Sequence, residues 1–432
     1  MNIASITTAP TATRDRHFEP SRCAKSNQAK AMVADILKQV QNYEKHAKLR
    51  QRTRKAKDQL TFERQIESLV CDMAYQEIAN PSGFINLPLS KSILGKKDRY
   101  KSRVLCETLP DIIRRLSSRE MEFAVMELGA KNPWVPSLSK QTTIKAGKRL
   151  IDRIHERCLV LLDFGIDNYD GELIKLKSSK TSDFWSKGKL MAYNDTETTI
   201  RYREEMEAIN AYIAAADIEV YGDSSHVKTY DANNRRLTRT FNRGSFEEGG
   251  RLYGGFWQAM KSEDRSDVIL INGDNVVCLD YGQIAIRILY GLVGATLYCD
   301  DAYTIPGLEG YREGVKMVIN TMFNVNSIPV QKPRGSKNLL PRHMTMTDII
   351  RLISDYHSQI APFFFSNRGL YVQFLESQIL ITLLTKLRDL GIVALPVHDA
   401  VIVSVEDSKQ TEQVMLKVFL EATGIQGTVS YD

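Results

Sequence analysis

The sequence predicts an α+β chain: a mainly helical, basic N-terminal region, then a domain whose sheet carries carboxylates at strand ends. Three observations predict it. Residues 29–80 contain neither Gly nor Pro and place Met32, Ile36, Leu37 and Val40 at helical spacing. The apolar run Val276–Leu279 suits a buried strand and ends in Asp280 and Gly282, after which Ile284–Leu292 turns amphipathic. Two further strand-like runs, Ile392–Val397 and Ala400–Val403, flank His398-Asp399. Two carboxylates on adjacent strands can hold a pair of divalent cations. Hard cations such as Mg²⁺ want oxygen ligands, and a paired site suits in-line phosphoryl transfer.

The chain has 432 residues, enough for two or three domains with real cores. Apolar residues at 43% and charged residues at 25% are ordinary for a globular protein. A net charge of +6 fits a nucleic-acid partner without requiring one. No apolar run is long enough for a transmembrane helix, so no membrane role is expected. The six cysteines include no C-x-x-C pair, which argues against zinc and against a disulfide scaffold and predicts a reducing, cytoplasmic compartment.

Residues 1–28 are rich in Thr, Ala, Ser and Pro and read as a disordered tail. Residues 29–195 read as a nucleic-acid-binding region. Between Lys45 and Lys57 lie seven basic residues, which read equally as a phosphate-contacting helix or as a solvated face. Leu109–Leu128 reads as one or two helices, and Pro133 to Pro136 as a loop carrying Trp134. Ser139–Ile154 reads as a basic helix. Strand-like runs Cys158–Ile166 and Glu172–Lys177, joined through Asp170-Gly171, read as a hairpin. Helix, loop, basic helix and hairpin is the order of a winged helix-turn-helix, although many α+β domains share it. Asp163, Asp167 and Asp170 cluster on the supposed turn and read as solvated. Glu197–Ala215 reads as a packing helix opening the catalytic domain, residues 196–432. No phosphate loop of the G-x-x-x-x-G-K-[ST] type occurs.

Four elements of this second domain resemble one family. Asp280-Tyr281-Gly282-Gln283-Ile284-Ala285-Ile286-Arg287 resembles motif A of the family A DNA polymerases, usually D-Y-S-Q-I-E-L-R. Arg312-Glu313-Gly314-Val315-Lys316 resembles the R-x-x-x-K start of motif B, and Val397-His398-Asp399-Ala400 resembles motif C, usually V-H-D-E. Gly250-Arg251-Leu252-Tyr253 resembles the G-R-[LV]-[SY] element shared with single-subunit phage-type RNA polymerases. Each alone is a weak signal; the family order over roughly residues 240–432 is a strong one.

The resemblance implies an antiparallel palm sheet with fingers, and a two-metal nucleotidyltransferase acting on DNA template-primer and nucleoside triphosphates. Asp280 and Asp399 would be catalytic and would bind two Mg²⁺ (Mn²⁺ as an alternative), with the Tyr281 carbonyl as a third oxygen. Arg312 and Lys316, four apart on one helix face, would bind triphosphate. Gln283, Ala285, Asn320 and Asn324 would lie at the nucleotide, and Arg251, His398 and Gln378 at nucleic acid. Glu376 shares the helical run Val372–Leu390 with Gln378, and Arg287 would be structural. Taken alone, each aspartate also reads as a turn residue, and the Arg312/Lys316 pair as a solvated face.

The departures are informative. The stretch from Asp280 to Arg312 is short for the family, which implies trimmed fingers. Ala285 replaces the motif A Glu, Asn320 and Asn324 replace aromatic residues of motif B, and Ala400 replaces the acidic residue after the motif C Asp. The Glu blocks a ribose 2′-hydroxyl in the family, so its loss implies ribonucleotide use or primase-like activity, unless Tyr281 or Tyr290 supplies the wall. The function read from the sequence is template-directed polymerisation in replication or priming of a mobile element. The alternatives are a non-catalytic DNA-binding replication initiator or regulator and an unrelated metal-dependent nuclease.

Overall fold

Ser26 starts the first helix: its hydroxyl accepts from the Ala29 N–H at 3.2 Å. Helix α1 (Asn27–His46) then buries Ala29, Met32, Ile36 and Val40 along one face. A computed structural model describes residues 15–130, 140–167, 171–180, 188–221, 230–336 and 338–431. The chain divides into two units after Glu172.

In the first unit, α1, α2 (Ala56–Ala79), α3 (Lys91–Leu94), α4 (Leu109–Leu116) and α5 (Lys148–Glu156) accompany a four-stranded sheet. Its strands are β1 (Arg16–His17), β3 (Ile85–Leu87), β4 (Ala124–Glu127) and β5 (Thr142–Ala146), in the order β1-β3-β5-β4. Strands β2 (Arg22–Ala24) and β6 (Phe164–Ile166) pair antiparallel. Met32, Ile36, Ile66, Leu69, Ile85, Ile112 and Ile144 belong to one core.

The structure corrects several expectations here. The disordered tail was expected to reach residue 28, but residues 16–24 form β1 and β2. They are anchored at the buried Asp72 of α2, which pairs with Arg16 Nη2 at 2.8 Å and Arg22 Nε at 3.4 Å. Residues 1–14 lie outside the described residues. The helix expected over Ser139–Ile154 is instead β5 followed by α5, because alternate residues Ile144 and Ala146 face the core while β5 pairs with β3 and β4. The expected hairpin does not form among the described residues: β6 pairs with β2, and Ile174–Leu176, already in the second unit, pairs in parallel with Leu237–Asn242 of that unit. A winged helix-turn-helix is therefore not formed by the described residues. Leu109–Leu128 gives α4 and then β4. Trp134 and Asp170 lie outside the described residues.

The second unit begins at Leu173, earlier than the expected boundary at residue 196, because β7 (Ile174–Leu176) joins a sheet with β9 (Leu237–Asn242) and β10 (Ser245–Gly254). Helix α6 (Glu197–Ala215) matches the expected packing helix, capped by Thr196. The main sheet contains β8 (Ile218–Val220), β11 (Ile269–Ile271), β12 (Asp274–Tyr281), β13 (Leu395–Val397), β14 (Ala400–Ser404) and β15 (Val429–Tyr431). Every pairing among them is antiparallel, in the order β13-β14-β12-β11-β8, with β15 also on β12. The remaining helices are α7 (Ser262–Val268), α8 (Ile284–Leu292), α9 (Arg312–Asn324), α10 (Met346–Tyr356), α11 (Gly369–Asp389) and α12 (Ser408–Thr423). One core joins the main sheet to α6, α11 and α12; a second joins α8, α9 and α10 through Ile286, Leu289, Val315, Ile319, Ile349 and Ile353. The chain is thus α+β. Among the described residues no helix is long and apolar enough to cross a membrane.

Candidate active site

Asp280 is the penultimate residue of β12, and its Cα partner across the ladder is Ala400, the first residue of β14. Val397 pairs with Ala400, so His398 and Asp399 form a two-residue hairpin turn. Asp280 therefore stands opposite the strand start that directly follows Asp399. His398 holds φ at 59°, a left-handed value usually left to glycine at the first position of such a turn. Strain of this kind persists where the surrounding structure enforces it.

A further carboxylate, Glu376 of α11, interacts electrostatically with both aspartates. Glu376 is buried, and its Oε2 lies 3.1 Å from Arg251 Nη2 of β10. Its carboxyl is pushed up to about 7, first by burial, with Arg251 opposing and then Asp399 and Asp280 raising it further. With the Gln373 amide turned so that its oxygen faces the guanidinium, it accepts from Arg251 Nε (2.9 Å) and Nη1 (3.1 Å), and two residues of α11 then fix the guanidinium. His398 is exposed; partial burial and then the charge of Arg251 lower its pKa, while Asp399 opposes.

Tyr281 contributes only its main chain on this side. Its buried phenol donates to the Met415 carbonyl at 2.9 Å and lies against Phe419, and burial raises its pKa. Gln283, at φ 57°, begins α8. Its Oε1 accepts from Ala302 N at 2.8 Å and its Nε2 donates to the Asp300 carbonyl at 3.1 Å. It therefore braces the 300–302 segment. Arg287 does likewise, donating to the carbonyls of Asp300 and Gln426, both at 3.0 Å. Ala285 is half-buried against the α8–α10 core.

Arg312, Lys316, Asn320 and Asn324 form one exposed stripe along α9 at four-residue spacing, opposite the buried Val315, Val318 and Ile319. Arg312 pairs with Asp301 at 2.6 Å and Glu313 at 2.8 Å; the hydrogen bond it donates to Asp301 is the main reason its pKa is raised. Its guanidinium carbon lies 5.3 Å from the centre of the Tyr303 ring. Asn324 donates to the Asn320 carbonyl at 2.8 Å.

Tyr303 was not singled out in the sequence. Burial pushes its phenol up to about 12; Arg312 opposes, and Glu376, Asp301 and Asp399 add to the rise. It feels both the α9 cation and the carboxylates. Glu376, Gln373 and Asp301 complete the set that sequence reading missed or placed only loosely. Gln378 is elsewhere: its Oε1 accepts from the buried Arg239 at 2.9 Å and its Nε2 donates to the Tyr202 hydroxyl at 3.2 Å. Burial lowers Arg239 to about 10, and Glu205 partly restores it.

Asp280, Asp399 and the Tyr281 carbonyl offer hard oxygen donors, and the charges of Asp399 and Asp280 help raise the Glu376 pKa. Such a donor set fits Mg²⁺ or Mn²⁺. Among the described residues, no group of three or more His, Cys, Asp or Glu side chains is already gathered as a cation cage.

No protein-family model matches this chain, and no curated protein matches it. Among solved structures, the chain is similar to the POL domain of Pol1 from M. smegmatis, a complex with DNA primer-template and dNTP. That similarity covers 54% of this chain and 51% of that one, at a TM-score of 0.31 and 13% identity. Overlap so slight does not define the fold, and the functional reading rests on the site.

Proposed function

We propose that the chain is a template-directed nucleotidyltransferase that extends a strand on a DNA template from nucleoside triphosphates. The observation that supports it is the register pairing Asp280 with Ala400, which sets one carboxylate opposite the turn bearing the other. Four motif-like segments in family order join it to a cationic helix face.

In this reading Asp280, Asp399 and the Tyr281 carbonyl would hold two Mg²⁺ ions. Bound there, the pair would lower the pKa of the attacking 3′-hydroxyl and neutralise charge on the departing pyrophosphate. The rest falls to side chains. Arg312 exchanges its carboxylate partners for triphosphate oxygens, which its planar fork grips with two donors, and Lys316 adds a point charge one turn on. Arg251, fixed by Glu376 and Gln373, holds the primer end, and His398 flanks it. Asn320 and Asn324 replace aromatic closure with hydrogen-bonding groups, and Ala285 leaves space at the ribose. Replication or priming of a mobile element is the setting this chemistry suits.

Primer extension on a primed DNA template with Mg²⁺ tests the reading. Lengthening of the primer supports it. Binding without turnover would favour a non-catalytic initiator or regulator, and shortening would favour a nuclease.

A further inference from the structure

The first unit holds a cleft of about 860 Å³ with Arg50, Arg54, Lys57, Lys97, Arg103 and Arg115 in its wall. Two acidic residues share the lining, and Asp111 is already neutralised by Lys91 at 2.9 Å and Arg114 at 3.0 Å. The floor is built rather than loose. The buried Glu44 of α1 binds Arg54 at 2.6 Å and also binds Arg115, so one carboxylate locates two guanidiniums and leaves a net positive charge. Arg54 also lies 3.5 Å above the centre of the Phe62 ring, which fixes its plane. Behind it the buried Gln65 ties the Val104 carbonyl (2.8 Å) to the Thr108 hydroxyl (2.9 Å), which holds the far wall.

Helices α2 and α4 both begin at this cleft, and neither has a side-chain cap. Lys55 occupies the cap position of α2, and Lys57 shares its first turn with Asp58, so two cations and one carboxylate stand at that helix end. The excess positive charge there favours an anion, which the helix dipole also attracts. The cleft continues into a second depression of about 720 Å³ that shares Lys97 and Arg103 and adds Lys96, Arg99 and Lys101 against Asp98 and Glu107, so a cationic excess remains. An extended cationic track of this kind matches a repeating phosphate better than a single small anion. The one aromatic in the cleft wall, Phe62, is covered by Arg54, so no ring is presented for a base to stack on. Recognition would be of phosphates and independent of sequence.

We infer that this cleft is a binding site for the phosphodiester backbone of a nucleic acid, separate from the carboxylate site of the second unit. It does not rest on the nucleotidyl-transfer reading.

The test uses the full chain with Asp280 and Asp399 intact. Lys57→Gln/Lys97→Gln is compared with the control Lys30→Gln/Lys38→Gln, which removes equal charge from exposed positions on α1. Fluorescence anisotropy is read against salt with a labelled single-stranded oligonucleotide and, separately, a duplex. The cleft pair should weaken binding at least tenfold at low salt. It should also flatten the log–log salt slope by roughly 0.7 per lost contact on a single strand or 0.9 on a duplex. The arm that responds identifies the form bound. Equal losses in both variant pairs would mean diffuse electrostatics and would overturn the site. So would unchanged oligonucleotide binding alongside lost binding of inorganic tripolyphosphate, which would mark a small-anion pocket.

Discussion

Arg251 of β10 and Glu376 of α11 form an ion pair at 3.1 Å, and the Glu376 carboxyl feels the charges of both aspartates of the candidate site. The acid is buried and the base half-exposed, so the pair marks where solvent access ends. Its protonation predicts a pH signature. With its carboxyl at about 7 when folded, against an ordinary value of 4.5, Glu376 keeps its proton longer in the folded chain. Between those values the folded state binds more protons than the unfolded one, so stability falls as pH rises through about 7. Urea denaturation in EDTA from pH 4 to 8 should show this decline, and Glu376→Gln should remove it. An identical slope in the Gln variant would assign the effect to other groups.

Asp280→Ala and Asp399→Ala should each abolish primer extension while leaving DNA affinity nearly intact. Removal of either carboxylate spoils the paired oxygen site, whereas most affinity comes from phosphate electrostatics. Extension assays beside anisotropy measurements check this; near-normal extension by either variant would remove that residue from the chemistry.

Gly314 lies between Arg312 and Lys316, where a Cβ would collide with the Leu339 carbonyl and approach Leu340 Cδ2 to 2.6 Å. Gly314→Ala should therefore push the start of α9 outward and shift both cations. Misplacement by about 1 Å can cost up to roughly a hundredfold. The expected result is a KM for triphosphate raised at least tenfold, with template affinity within about twofold of normal. Steady-state kinetics at varied nucleotide concentration would show it; an unchanged KM would detach α9 from triphosphate binding.

What the sequence made legible was local. Val276 to Asp280 reads as a strand because four apolar residues precede a carboxylate, and α11 reads as a helix because its apolar spacing is continuous. Asp72 is different: its partners Arg16 and Arg22 lie 56 and 50 residues away, so nothing nearby marks residues 16–24 as ordered. Thr142–Ala146 lies in a run whose apolar Ile144, Leu150, Ile151 and Ile154 and basic Lys140, Lys145 and Lys148 suit a helix, but its pairing with β3 and β4 decides otherwise. Glu376, Gln373 and Tyr303 join the site only through tertiary placement of α11 and the 300–303 segment. No motif spacing could have fixed their register. Gln378 shows the same limit in reverse: it shares the helix with Glu376, but its amide is committed to Arg239 and Tyr202.

The sugar preference gives the last prediction. Ala285 is half-buried against the α8–α10 core and too small to wall off a 2′-hydroxyl. Two tyrosines were candidates to replace that wall, and both are engaged elsewhere. The Tyr281 hydroxyl donates to the Met415 carbonyl at 2.9 Å. Tyr290 is buried with its hydroxyl 3.0 Å from His357 Nδ1. A steric filter is lost when its wall is removed. The unmodified protein should therefore use NTPs at rates comparable to dNTPs, and Ala285→Glu should suppress NTP use at least tenfold while sparing dNTPs. Tyr303 feels the charges of Glu376 and Asp399 and has Arg312 over its ring, so it is the next candidate for the wall. Parallel extension assays with each nucleotide set separate the two. Strong rejection of NTPs by the unmodified protein sinks the prediction, and relief of that rejection by Tyr303→Ala would assign the wall to Tyr303.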